Sequence, residues 1–137
     1  MAAISKSVAV GDTLPDHVQG GISRTTLALF AGASNDYVRL HIDSDYVKEA
    51  GLPDVFAHGM LSMAYMGQLL TNWMPQDRLR YWNVRFLAIT PLHATVTCRG
   101  EVTEVFEEGG EQRARLKLSV STQDGVSTLD GEAVVAI

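Results

Sequence analysis

The chain holds a single cysteine, four prolines and only 7% aromatic residues in 137. A lone thiol cannot close an internal disulfide, and Cys98, set in an alternating segment, reads as a buried structural side chain. The missing disulfide framework points to a cytoplasmic protein. Cations are in the minority too: the net charge is −5, with no run of Lys or Arg. That excludes nucleic acid and anionic membrane as partners, since both require a concentrated basic surface. The first ten residues, "MAAISKSVAV", lack the charged and apolar regions of a signal peptide. The longest uncharged stretch, Phe56 to Gln76, is interrupted by His58, Gln68 and Asn72. It offers about 16 residues of continuous helix where a bilayer needs ~20, so a buried helix is expected rather than a membrane span. The four His and one Cys never fall at ligand spacing. The Gly pairs at 20–21 and 109–110 match neither a phosphate loop nor a dinucleotide fingerprint. No metal and no cofactor are expected.

What is present is an apolar content of 46% without repeats, low-complexity tracts or linkers, enough for one domain over residues 1–137. In "SRTTLALFAGASNDY", Ser23 or Thr25 can cap a short helix through Leu27 to Ala31, broken at Gly32. Asp36 and His41 then fall on a loop. "SDYVKEAGL" predicts a second short helix capped by Ser44 and stopped at Gly51, and a long helix runs from about Gly59 to Met74. Its Met60, Met63, Ala64, Gly67 and Leu70 form one face, while Leu61, Tyr65, Leu69 and Trp73 cover much of the rest, so it must be wrapped. From Tyr81 the period becomes two. "YWNVRFLAI", "HATVTCRGEVTEV", "RARLKLSVS" and "GEAVVAI" read as antiparallel strands with one apolar face, turned at "EEGGE" and "QDG". The expected fold class is α+β: one long central helix wrapped by a curved antiparallel sheet.

Two clusters carry more than pattern. "FAGASNDYVRLHID" holds Asp36 and, five residues on, His41, and "AGLPDVFAHGML" opens the long helix. Together they resemble the MaoC-type (R)-specific enoyl-thioester hydratase/dehydratase family. Its signature is an Asp, a His five residues later, an Asp two beyond, and an Ala-His-Gly-Met segment at the start of a hot-dog helix. The likeness continues through "WNVRFLAITPLHATVTCRGEV", covers about residues 7 to 137, and is strongest to catalytic subunits of mycobacterial-type (3R)-hydroxyacyl dehydratases. One departure stands out: the family loop Gly-Asp-x-Asn-Pro-x-His-x-Asp has Val38 and Arg39 here in place of Asn and Pro, which removes a fixed dihedral and a side-chain tether.

The resemblance implies a single hot-dog domain that hydrates enoyl thioesters to (R)-3-hydroxyacyl thioesters. The substrate would be an acyl-CoA or an acyl-carrier-protein thioester, and the assembly a homodimer or a heterodimer of hot-dog subunits. That chemistry needs a base for water, an acid for C2 and a donor for the enolate oxygen. Asp36 and His41 supply the first two; the sequence leaves open which takes the water proton, with Asp36 favoured. Gly59, whose N–H has no acceptor within the first helical turn, is the oxyanion donor, and His58 beside it reads as structural. Asp43 reads as a cap or brace of the loop. Met63, Met66, Gly67 and Leu70 follow Gly59 along the helix and are expected to line the acyl chain. The plainer reading of the methionines is core filling, and of Gly67 close packing. Arg78, Arg80 and Arg85 are possible phosphate contacts, and His17 and His93 read as surface or strand-end residues. A hot-dog thioesterase would use the same helix end without a His after the Asp, and a noncatalytic partner subunit would lack the pair, so the pair argues against both.

Overall fold

The computed structural model describes residues 7–137; residues 1–6, which the sequence reading included in the domain and in its test for a signal peptide, lie outside the described residues. Ser23 accepts the N–H of Thr26 and starts α1 (Arg24–Ser34). The helix runs three residues past the expected stop: Gly32 is tolerated within it, and Asn35 ends it in the left-handed region at φ 58°. A single 3-10 turn, Arg39–His41, precedes α2 (Ser44–Glu49). The cap of α2 is Asp43, not Ser44, because the Asp43 carboxylate takes the N–H of Tyr46. Then comes α3 (Gly59–Trp73), ended at Met74 ahead of Pro75.

Five strands, β1 (His17–Gln19), β2 (Leu79–Phe86), β3 (Val96–Glu108), β4 (Glu111–Thr122) and β5 (Ser127–Ala136), form one antiparallel sheet in the order β1-β3-β4-β5-β2. The expected strand at "YWNVRFLAI" ends earlier, at Phe86, and β1 was not anticipated: three residues show no alternation to read. Gly109 and Gly110 turn β3 into β4 with φ 60° and 75°, the conformation of a two-residue hairpin turn. Val96, Cys98 and Val102 of β3, Leu116, Leu118 and Val120 of β4, and Leu129, Ala133 and Val135 of β5 are buried on the inner face. Against them lie Leu61, Tyr65, Met66, Leu69 and Leu70 of α3. Burial pushes the Cys98 thiol up to about 12, as suits an unreactive core residue. No helix among the described residues is long and apolar enough to cross a membrane.

The sheet covers α3 on one side only. Part of α3 is left uncovered: Met60 is 53% exposed, and Ala64 is exposed as well. β5 packs tightly against both β2 and α3 at Gly131. A Cβ there would stand 2.5 Å from the Asn83 carbonyl oxygen and 3.4 Å from Met66 Sδ. Gly131→Ala must therefore displace the backbone of β2, and we expect a loss of about 1–3 kcal/mol in urea unfolding. An unchanged midpoint would mean that β2 yields freely to the added methyl group.

Candidate functional site

The site is assembled by the segment Asp54–His58, which leads into α3 and grips the loop containing Asp36 and His41. Its near end is anchored to α1 by Arg24, whose Nη1 lies 2.9 Å from Asp54 Oδ1 and which holds that carboxyl down at about 2. Phe56 N–H donates to the Leu40 carbonyl (3.3 Å), and the Phe56 carbonyl accepts from His41 Nδ1 (2.7 Å). Two residues on, His58 Nε2 donates to the backbone carbonyl of Asp36 (3.1 Å). Each end of the Asp36–His41 loop is thus hydrogen-bonded to the strand-like approach to α3.

These bonds fix the two imidazoles. A carbonyl accepts, so His41 Nδ1 carries hydrogen, and its Nε2 lies 4.0 Å from Asp36 Oδ2. The His41 side chain is 11% exposed and that of Asp36 39%, leaving the carboxylate open to solvent and the imidazole to one side of it. Asp36 Oδ1 takes the N–H of Val38 (3.2 Å), which orients the carboxylate. His58 stacks on His41 at 4.0 Å between centroids and 26° between planes, with the Phe30 ring edge-on behind it. At 1% exposure His58 is part of the core. Its Nε2–H serves Asp36, and its buried Nδ1 finds no protein partner. Burial lowers its pKa, with the nearby His41 adding in the same sense against the hydrogen bond to Asp36, so it stays neutral.

The sequence showed no metal-type spacing, yet the fold brings ligand-type atoms of Asp36, His41 and His58 within 4.8 Å of one another. They come from separate segments, which spacing could not reveal. Of these atoms His58 Nε2 is already committed to the Asp36 carbonyl, and the His58 ring lies stacked on that of His41. A carboxylate beside a partly accessible imidazole can take up and give back protons.

Gly59 opens α3, where its N–H has no carbonyl a turn earlier to receive it and the helix dipole adds positive potential. A Cβ on Gly59 would be 2.8 Å from the Phe86 ring. A cavity of about 390 Å³ beside Asp36 is lined by Phe30, Ser34, Met60, Met63, Ala64 and Trp82. Another, of about 260 Å³, continues along α3 past Gly67 and Leu70 to Leu79 and Val135. Of the residues expected along the acyl chain, Met63, Gly67 and Leu70 line these cavities. Met66 does not: it is fully buried on the sheet side, taking the Trp82 indole N–H at 3.5 Å. Gly67 is explained by packing, since its Cβ would meet the Trp82 ring at 3.0 Å. Phe30, Ser34, Phe56, Trp82 and Phe86 were missed as site residues; α1 read only as a short helix and β2 only as a strand with one apolar face. Arg80 and Arg85, considered for phosphate binding, are paired with Glu111 and Asp130. His17 lies in β1 bonded to Gln68 (2.8 Å), and His93 is in an exposed turn.

Known proteins share the family and the fold of this chain. The MaoC like domain family matches residues 6–124. An (R)-specific enoyl-CoA hydratase of Rhodospirillum rubrum is 30% identical over 118 residues, 85% of this chain and 80% of that protein. Among solved structures, the (R)-hydratase of Aeromonas caviae involved in PHA biosynthesis superimposes with a TM-score of 0.84 at 26% identity, covering 96% of this chain and 98% of that one. The ChsH1-ChsH2 complex of Mycobacterium tuberculosis shares the fold, with a TM-score of 0.80 at 22% identity over 94% of this chain and 98% of that one. The expected hot-dog fold is the one observed.

Neutral His58 has a measurable consequence. Its folded pKa lies below the ordinary 6.5, so on acidification the unfolded chain takes up a proton that the folded one resists. Stability is then lost as pH falls below about 6.5, and this contribution is flat above it. His58→Asn keeps an N–H for the Asp36 carbonyl but does not titrate. Its melting temperature should fall less steeply between pH 7 and pH 5 than the wild type's; equal slopes would show that folding leaves the His58 pKa unchanged.

Proposed function

Because this chain belongs to the MaoC-like domain family, we propose that Asp36 and His41 add water reversibly across the C2–C3 double bond of an enoyl thioester, giving the (R)-3-hydroxyacyl thioester. The chain is a hydro-lyase of the (R)-specific enoyl-CoA hydratase kind. The observation that carries the mechanism is the 4.0 Å gap between His41 Nε2 and Asp36 Oδ2. One water fits across it, within hydrogen-bond reach of both atoms, and its oxygen is left to attack C3. Asp36 takes one proton as the water oxygen bonds to C3, and one proton returns to C2 from the same pair on the same face. The pair is regenerated, and the addition is syn. Negative charge passing onto the thioester oxygen meets Gly59 N–H at the start of α3.

The acyl chain follows the uncovered side of α3, past Met63 and on toward Gly67 and Leu70, and the thioester is carried on coenzyme A or an acyl carrier protein in the cytoplasm. The same uncovered side favours a dimer. β2 has a neighbour, β5, on one side only, and Phe86, Leu87 and Ile89 at its end are about half exposed. A second copy, or a related hot-dog chain, would extend the sheet along this edge and close the groove.

Asp36→Asn and His41→Ala are each expected to lower hydration of crotonyl-coenzyme A about 100-fold or more with circular dichroism unchanged. Wild-type rates in either folded variant would remove these residues from the mechanism, and an (S) product on chiral analysis would contradict addition from one face. Solution mass should correspond to at least a dimer; a fully active monomer at low concentration would show that the groove needs no partner.

A further inference from the structure

The two cavities along α3 have only Ala64 and Trp82 in common. On one side lies the space beside Asp36, on the other the space that runs to Leu70, Leu79 and Val135. Building on the hydratase reading above, we propose that the Trp82 indole is the barrier that sets acyl-chain length, by standing between the reaction site and the far cavity.

Three contacts hold the ring in place. Its N–H donates to the buried Met66 Sδ at 3.5 Å, its Cη2 stands 3.0 Å from where a Gly67 Cβ would be, and the small Ala64 faces it across the groove. The helix offers Ala64 and Gly67, two of its three smallest residues, where the largest side chain of β2 arrives. The room those small residues leave is taken by indole rather than left for substrate. Trp82 is nevertheless only half-buried, so its far edge borders open space on both sides.

Distance converts this into a length. Ala64 is five residues beyond Gly59, about 7.5 Å along the axis, and Gly67 eight, about 12 Å. An extended chain advances roughly 1.2 Å per bond, the value implied by ~3.6 Å for three backbone bonds. A thioester carbonyl at Gly59 therefore brings about the seventh carbon to Trp82 and about the eleventh to the far cavity. Each methylene newly buried is worth about fourfold in kcat/KM. Wild-type protein should gain with length up to about seven carbons and then lose, whereas a chain without the indole should go on gaining into the far cavity.

The test is the ratio of kcat/KM for trans-2-dodecenoyl- to crotonyl-coenzyme A in the wild type, Trp82→Ala and Trp82→Phe, with melting curves to establish folding. We expect the ratio to rise at least tenfold in Trp82→Ala, chiefly through KM, and by an intermediate amount in Trp82→Phe, which retains one ring for packing and serves alone if the alanine variant does not fold. Parallel chain-length profiles in folded variants, or a wild type that uses dodecenoyl as well as crotonyl substrate, would overturn the barrier while leaving hydration intact. Failure of the wild type to hydrate any chain length would instead overturn the hydratase reading, and the barrier with it.

Discussion

One five-stranded sheet covers one side of a fifteen-residue helix and leaves the other side to something else. This limit follows from geometry: side chains radiate from a helix in all directions, while a single curved sheet meets about half of them. In this chain the covered half is Leu61, Tyr65, Met66, Leu69 and Leu70 on the inner faces of β3, β4 and β5. The other half carries Met60, Met63, Ala64 and Gly67, which are apolar but incompletely buried. The groove, the opening beside Asp36 and the half-exposed end of β2 all lie on that uncovered side. On the proposed function, substrate and partner would both be drawn to this one unsatisfied apolar surface.

Within the groove, chemistry depends on how firmly the Asp36–His41 loop is held. The family's Asn and Pro are absent, but other contacts occupy their role. Arg39 bonds the Asp43 carboxylate at 2.9 Å and lies over the Tyr46 ring at 4.2 Å from its centroid, tying the loop to the start of α2. Asp43 itself caps that helix, so one carboxylate serves both attachments and its pKa is lowered, first by the Tyr46 N–H and then by Arg39. On the other side, His58 and Phe56 hold the backbone of Asp36 and the ring of His41. The loop is restrained at both ends through polar contacts, at sites where a proline would have restrained it through one dihedral.

Alternation of apolar residues in the second half made β3, β4 and β5 legible from sequence, because their inner face is buried almost without exception. The boundaries of α3 were legible from His58-Gly59 and Pro75. What escaped were β1, the cap exchanged between Ser44 and Asp43, and the stacking of His58 on His41 beside the expected Asp36–His41 pair. Met66 illustrates the difficulty. Spacing along α3 placed it with Met63 and Leu70, but the helix turns it onto Gly131, where the sheet lacks a side chain. No pattern within the helix records that vacancy in β5.

The relation of β2 to α3 explains why two glycines fall where they do. Trp82 and Phe86 both project from the inner face of β2, four residues apart, a span of about 13 Å in a strand. Gly59 and Gly67 are eight residues apart on α3, a span of about 12 Å in a helix. The two elements run in opposite directions, so Phe86 meets Gly59 and Trp82 meets Gly67, each ring standing 2.8 or 3.0 Å from where a Cβ would be. Neither glycine could gain a methyl group without moving a ring. These matched contacts hold an edge strand, otherwise paired only to β5, in a single register against the helix. They also put one aromatic ring beside the helix N-terminus and the other against Ala64 and Gly67, about 7.5 to 12 Å along the helix, between the two cavities.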